Sequence, residues 1–503
     1  MSSARKSFFL FLIFVLFDHF FWEVLFWKIP NEASWGTDFF YNYVYEKKRL
    51  EAGRGTKERI LVLGSSVARY SFDNSVFEAY LETKGIKKEV RLLSHAGLTP
   101  MDAYAQRDSI EKMQPSLLVY PLNFVDFRIF RAFQLVPQKK LEEVDEDILI
   151  SDSLQPSIAP QVISAYPWEA LRDFSPYFSL DARASFLSAG IFSFYRYREF
   201  GFDNFKYMYA HRNSRNTRYY WYQGIQIPER VSTLGWTKKS FSFEIRPYMK
   251  EKGFWVQVVP EILQEGPLVI NIKSDRGDME EFILKDVGWQ QIVIQKIGEG
   301  DKVRAELSAT WKPIHALGDR FDYAREDMGV RLQETFGLDT PHKNFHVVRE
   351  ERSEDDRFVT LTEREYEDYF HFRLLQDLDS RPGLVAMQLY KDSKERLHRE
   401  VFRPFYQYRF LKLFTEEMRK RKIPTLLILN PENPYSLVWY KDSQYLKDEI
   451  RFLESLEGEG VQFLNLHSYL DGKNFSDYHH LTYQGMLKMT PVYAEKVIQM
   501  TAK

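Results

Sequence analysis

The chain has 503 residues, more than one ordinary hydrophobic core organises, so two or three domains are expected. Its 69 basic and 71 acidic residues nearly cancel, which gives no support to a polyanion-binding role such as nucleic-acid recognition. It has no cysteine, which excludes disulfides, thiolate zinc sites and a cysteine nucleophile. The 11 histidines fall in no HExxH or comparable spacing, so no metal site is expected, and nothing implies a cofactor.

Arg5-Lys6 precede an apolar run from Phe8 to Phe17. It continues through Phe20-Phe21-Trp22 and Val24 to Trp27, interrupted by Asp18, His19 and Glu23. A run of about 20 residues spans a bilayer as a helix, with Trp22 and Trp27 placed for an aromatic belt. No small-x-small cleavage site follows, so residues 1–30 read as an uncleaved membrane anchor, N-terminus in the cytoplasm and the rest outside. The competing reading is an amphipathic helix in the interface, because three ionisable residues are costly within a span. In the spanning case Asp18 and His19 would face a partner helix.

Residues 31–56 read as a polar and aromatic tether ending in Gly53-Arg54-Gly55. Over 57–130 an apolar strand, Ile60 to Leu63, runs into Gly64-Ser65-Ser66, and Phe72 to Tyr80 follows in helical periodicity. Val90 to Leu93 is a second strand ending at Ser94-His95-Ala96-Gly97, and Leu117 to Tyr120 a third, before a loop holding Asn123. Alternating strands and helices argue for a parallel sheet covered on both faces. Residues 131–235 are irregular, aromatic and partly helical.

From 236 to 335 the pattern changes to short alternating runs separated by turns, the signature of an antiparallel β-sandwich of about 100 residues. Examples are Phe241 to Ile245, Phe254 to Val259, Leu268 to Ile272, Phe282 to Leu284, Gln291 to Ile294 and Val303 to Leu307. After a connecting segment, 336–384, helix–strand alternation returns over 385–503. There Phe402 to Arg421 and Asp442 to Leu456 read as helices, and Pro424 to Leu429 and Val461 to Leu464 as strands. Asp477-Tyr478-His479-His480-Leu481 opens a last helix through Ile498. The expected fold class is α/β, one domain split by an inserted helical segment and sandwich.

A serine on a sharp strand-to-helix turn and a late Asp-x-x-His are the parts of a serine esterase. In order, Gly64-Ser65-Ser66, Gly97, Asn123 and Asp477 with His480 resemble the four sequence blocks of the SGNH (GDSL-type) hydrolases, as does His480-Leu481-Thr482-x-x-Gly485. Ser65 stands where that family has aspartate, and Asn123 lacks the family's Gly-x-Asn-Asp context. Block register favours Ser66 over Ser65 as nucleophile. The resemblance covers roughly 57–130 and 385–503. It implies a three-layer α/β/α sandwich and a Ser66–His480–Asp477 triad, with an oxyanion hole from the Ser66 and Gly97 N–H groups and the Asn123 amide.

An anchor joined to such a domain is similar in layout to the membrane-anchored proteins of teichoic-acid D-alanylation and alginate O-acetylation. That layout implies an esterase or O-acyltransferase at the cytoplasmic membrane, facing the periplasm. Its substrate would be a cell-surface glycan or glycolipid, and its partner a multi-pass membrane acyltransferase. The sandwich resembles a carbohydrate-binding module closed by Asp319-Arg320 to Leu332. Its Trp236, Trp255, Trp289 and Trp311 are either sugar-stacking residues or core. Two other readings stand beside the enzyme: a non-catalytic polysaccharide-binding scaffold that keeps the fold, and a lipid esterase with a merely peripheral N-terminus. Arg196 to Tyr222, rich in arginine and tyrosine, reads as a packed helical pair, or as a lid touching anionic lipid or polymer.

Overall fold

The computed structural model describes residues 3–26, 39–52, 58–127, 165–174, 180–198, 236–245, 247–248, 252–317, 325–332, 349–350, 361–376, 391–392, 394–404 and 407–501. The chain divides into two units, Met1–Glu46 with Ser188–Glu351 and Lys47–Leu187 with Arg352–Lys503. Helix α1 (Ser3–Phe20) runs on into a π-helical turn over Phe21–Leu25. It is long and apolar enough to cross a membrane. The segment read as a tether instead holds a helix, α2 (Phe39–Ala52). Tyr43 and Leu50, two helical turns apart, are both buried, a spacing hidden among charged neighbours. The end of α2 is tied down where the Leu50 carbonyl accepts from Arg59 Nη1 at 3.4 Å and Glu51 accepts from Ser109 Oγ.

Strands β1 (Arg59–Gly64), β2 (Glu89–Ser94) and β3 (Leu117–Leu122) follow. They alternate with α3 (Ser66–Ser71), α4 (Asn74–Thr83), α5 (Pro100–Ala105) and α6 (Arg107–Met113). β1 and β3 are buried along their whole length, as unbroken apolar strands in the middle of a parallel sheet must be. Of the segment expected as one insertion over 131–235, the described parts are shared between the units. Helix α7 (Pro167–Phe174) packs Ala170 and Phe174 against Met101 and Phe410, and the unit boundary falls inside α8 (Leu180–Ile191). Residues 199–235, with Lys206, Arg212, Arg215 and Arg218, lie outside the described residues.

The middle of the chain forms β4 (Ser240–Glu244), β5 (Lys252–Val258), β6 (Leu268–Ser274), β7 (Met279–Leu284), β8 (Gly288–Ile294) and β9 (Lys302–Leu307). Two short strands complete it, β10 (Arg331–Leu332) and β11 (Arg349–Glu350). They make two antiparallel sheets, ordered β11-β4-β9-β6-β7 and β10-β5-β8. Inward residues of both, Phe243, Ile270 and Val303 from one and Phe254, Val256 and Ile292 from the other, share one core. β11 lies beyond the expected boundary at 335, because a two-residue strand carries no periodicity to read. Trp236 and Trp311 are not sugar platforms: they pack on each other at 5.3 Å in that core. Trp255 and Trp289 alternate out of the core and are half-buried, with the Arg331 guanidinium 6.0 Å over the Trp289 ring.

Further on come α9 (Glu363–Gln376), α10 (Gln407–Lys420), β12 (Thr425–Leu429), α11 (Gln444–Ser455), β13 (Val461–Asn465) and α12 (Tyr483–Thr501). β12 and β13 rejoin β1–β3 in one parallel sheet ordered β13-β12-β3-β1-β2. On one face Ile60, Val62 and Val119 meet Phe77, Leu81, Tyr493 and Val497 of α4 and α12. On the other, Tyr120 packs edge-on against Phe414 of α10. The fold is thus mixed α/β, with one parallel sheet and two antiparallel ones among the described residues. In a sheet of this order successive connections leave β1 in opposite directions, and the crevice beyond the carboxyl ends of β1 and β3 is where ligands bind.

Helix α5 starts with a capping box: Asp102 Oδ2 accepts from Thr99 N and Oγ1, each at 2.8 Å. Burial outweighs those bonds and pushes the Asp102 carboxyl from 3.8 up to about 7. Between these values the unfolded chain has released the proton that the folded chain keeps, so stability falls as pH rises, by about 1.4 kcal/mol per pH unit from this group. Asp102→Asn keeps an acceptor for Thr99 and cannot ionise. Thermal melting of the two proteins at pH 5 and pH 7 is therefore expected to favour the variant at the higher pH by about 2 kcal/mol. Parallel melting curves at both pH values would contradict this.

Candidate active site

The turn from β1 into α3 gives its two serines different tasks. Ser65 is the N-cap of α3, and its Oγ accepts from Val67 N at 3.2 Å, which occupies it in holding the helix start. Ser66 is the first helical residue, and its Oγ lies 2.8 Å from His480 Nε2. Of the two serines, Ser66 is the one whose hydroxyl meets the imidazole.

His480 stands on a closed turn. An antiparallel bridge pairs Phe475 with Leu481, and Ser476 N donates to the His480 carbonyl at 2.9 Å. Inside the turn Asp477 Oδ1 accepts the backbone N–H of His479 at 3.0 Å and of His480 at 2.8 Å. Its Oδ2 lies 2.6 Å from His480 Nδ1. A carboxylate there requires the ring proton on Nδ1, which leaves Nε2 as a bare acceptor facing the Ser66 hydroxyl. Burial would raise the Asp477 carboxyl, but the His480 and His479 rings and the His480 hydrogen bond outweigh it and hold it far below the usual carboxylate range. The Tyr70 ring lies 4.6 Å from the His480 ring.

Strand register brings the other two predicted residues to the same edge. β1 pairs β3 with Val62 opposite Val119, and four residues further that offset reaches Ser66 and Asn123. β1 pairs β2 with Gly64 opposite Ser94, and His95 N donates to the Gly64 carbonyl at 3.1 Å, just before Gly97. Gly97 has φ +74° in the turn closed by Leu98 N and the His95 carbonyl, a conformation other residues rarely adopt. Asn123 follows β3 and is fully buried, and its Nδ2 has no hydrogen-bond partner among the described residues. A buried amide donor costs free energy when left unmatched, and here it stands at the carboxyl edge beside the serine strand.

The sequence reading missed the loop after β12, Asn430-Pro431-Glu432-Asn433. Asn433 Nδ2 donates to the Asp477 carbonyl and to Tyr366 Oη, both at 2.9 Å, while Asn433 N donates to the Tyr478 carbonyl. Tyr366 Oη in turn donates to the Phe475 carbonyl at 2.8 Å. Beneath this, the fully buried Glu432 carboxylate meets Lys394 and Ser436, Tyr440 Oη at 2.8 Å and His467 Nε2 at 3.2 Å. The available signal was a polar cluster directly following an apolar strand, the position where parallel sheets carry sites.

Asp477, His479 and His480 each offer a ligand atom within 4.8 Å of one another, a spacing that suits a metal ion. Both nitrogens of His480 are committed to the Ser66–Asp477 relay, so ligation and relay compete for the same atoms.

A family model matches residues 31–502. An uncharacterized protein of Leptospira interrogans serogroup Icterohaemorrhagiae serovar Lai (strain 56601) is 41% identical over 497 residues, covering 98% of this chain and 94% of its own. The chain belongs to this uncharacterized family.

Gly485, in the first turn of α12, packs against Asn474, whose carbonyl accepts from Thr482 N at 2.8 Å across the base of the Asp477–His480 turn. A Cβ on Gly485 would stand 2.3 Å from that carbonyl oxygen, so α12 leaves no room for a side chain there. Gly485→Ala is expected to lower stability by about 1–3 kcal/mol and to reduce reactivity of Ser66 toward an acylating probe more than a melting-matched variant elsewhere. Equal reactivity in the two variants would show that the turn tolerates the shift.

Proposed function

We propose that this chain is a membrane-anchored SGNH-type serine esterase or O-acyltransferase acting on an extracytoplasmic polysaccharide or glycolipid. The observation that carries the reading is the relay Ser66 Oγ–His480 Nε2–Asp477, with separations of 2.8 and 2.6 Å, at the carboxyl edge of a parallel sheet. The same four blocks that resemble the SGNH hydrolases in sequence lie at one edge of that sheet, and α1 is long and apolar enough to cross a membrane. The half-buried Trp255 and Trp289 on the sandwich suit a carbohydrate partner.

Ser66 Oγ attacks the carbonyl carbon of an ester as its proton passes to His480 Nε2. The oxyanion is met by the Asn123 Nδ2–H and by the backbone N–H groups of Ser66 and Gly97. As the carbon–oxygen bond to the leaving group breaks, His480 returns the proton to the departing alkoxide, leaving an acyl-Ser66. Water or a glycan hydroxyl then attacks the acyl carbon and gives its proton to His480; the carbon–Oγ bond to Ser66 breaks as His480 passes that proton to Oγ, which releases the acid or the new ester and restores the hydroxyl. Asp477 keeps the imidazole in the required tautomer throughout. In the transferase form, a multi-pass membrane acyltransferase supplies the acyl donor.

Labelling of the full chain in detergent with a fluorophosphonate probe tests this. Wild type and Ser65→Ala are expected to label, Ser66→Ala and His480→Ala to lose labelling, and Asp477→Asn to slow it about 10⁴-fold. A chelator is expected to change none of these. No labelling of a folded wild type would favour the non-catalytic scaffold, and labelling lost on chelation would favour a metal at Asp477, His479 and His480.

A further inference from the structure

Two rings pack against the imidazole of His480. The His479 ring lies 4.1 Å away between centroids, and the Tyr70 ring 4.6 Å away with its plane tilted by 42°. The two differ in exposure: His479 is 8% exposed, inside its turn, and Tyr70 is 37% exposed. The place of Tyr70 follows from the sequence. Ser66 and Tyr70 are four residues apart on α3, so their side chains share one face of that helix. The face that brings the serine hydroxyl to the imidazole therefore brings an aromatic ring to it as well. The core takes Val67, Ala68 and Ser71 from α3, and Tyr70 is not among them.

The chemistry of acyl transfer decides which half of an ester lies beside this ring. His480 Nε2 takes the Ser66 proton and then gives it to the departing oxygen, so that oxygen must come within hydrogen-bond reach of Nε2. In the second half of the reaction an incoming hydroxyl occupies the same place. The acyl carbonyl is turned the other way. Its oxygen faces Gly97 and Asn123, which follow β2 and β3, whereas His480 comes from the turn that precedes α12. The alcohol half of the ester is thus on the imidazole side, where Tyr70 packs, and a group bonded to the reacting oxygen passes beside the phenol ring.

A half-exposed tyrosine offers an apolar face with a polar tip. A pyranose ring is its complement, with C–H bonds on its faces and hydroxyls around its rim, whereas an acyclic alcohol lays little flat area on an aromatic ring. We propose that Tyr70 is the stacking surface for the alcohol half of the substrate, a pyranose whose hydroxyl carries or receives the acyl group. Tyr70 is then a specificity-determining residue that binds the sugar and takes no part in the proton relay. This rests on the esterase or O-acyltransferase reading and gives it a substrate class: an ester of a sugar-ring hydroxyl rather than of an acyclic alcohol such as glycerol.

Three esters separate the alcohol side from the acyl side, with the full chain in detergent and acid release followed by titration at constant pH. Glucose pentaacetate and glycerol triacetate share an acyl group and differ in the alcohol, while glycerol triacetate and glycerol tributyrate share the alcohol and differ in the acyl group. Wild type, Tyr70→Ala and Tyr70→Phe are compared, with Ser66→Ala as the blank. Tyr70→Ala is expected to lower the ratio of kcat/KM for glucose pentaacetate over glycerol triacetate about tenfold, mainly through KM, as loss of one aromatic contact does. Its ratio for tributyrate over triacetate is expected to match wild type, and Tyr70→Phe, which keeps the ring face, to preserve both ratios. An equal loss on all three esters would mean that Tyr70 only supports the imidazole, which overturns the proposal. A changed tributyrate ratio would put the ring on the acyl side, and unaltered ratios throughout would remove it from binding; both also overturn it. A wild type that hydrolyses none of the esters and takes no fluorophosphonate label would instead remove the esterase reading on which the role of Tyr70 rests.

Discussion

Asp477 is the group on which the site depends. One of its oxygens is held by two backbone N–H groups of its own turn, and the other is left to orient His480. A carboxylate fixed in this way cannot rotate to serve solvent, so the imidazole tautomer is set before any substrate arrives. In the proposed esterase reading that is electrostatic preorganisation, since the acceptor facing Ser66 already exists in the resting fold. Because Asp477 and His480 are three residues apart on one turn, a single local structure supplies two of the three groups. The sheet has only to bring Ser66 to it.

The turn is itself held from behind. Asn433 and Tyr366 bond to the backbone at Asp477, Tyr478 and Phe475, and the Glu432–Lys394 pair fixes the loop that carries Asn433. A buried ion pair gives little net stability against an apolar replacement, but breaking it strands a charge and is strongly destabilising. Glu432 is therefore better understood as fixing one arrangement of the loop than as adding stability. Burial would raise its carboxyl, but the Lys394 ammonium and the hydrogen bond from His467 outweigh it and hold it well below the usual range.

Much of this was legible in the sequence because the signals were periodic or local. β1, β3 and β12 are largely apolar runs, and they lead into the small or polar residues Gly64, Asn123 and Asn430. Asp477 and His480 could be paired from spacing alone, since one turn brings them together. Residues whose role depends on contacts distant in sequence were not legible. Asn433 looks like turn punctuation until the fold sets it against Asp477, and α2 is hidden among lysines and glutamates. Trp236 and Trp311 were ambiguous because composition does not distinguish a stacking platform from a core. Asp18, His19 and Glu23 looked like faults in a span, since their partners lie more than 160 residues away.

The central claim is that Ser66 is made nucleophilic by His480 and Asp477. The most direct measurement is peptide mapping by mass spectrometry after brief exposure of the full chain to p-nitrophenyl acetate, alongside His480→Ala. The account predicts one acetyl group, on Ser66, that appears in a burst with p-nitrophenol, decays on standing and is absent from the variant. Acetylation scattered over lysines and other serines, to the same extent in both proteins, would contradict it.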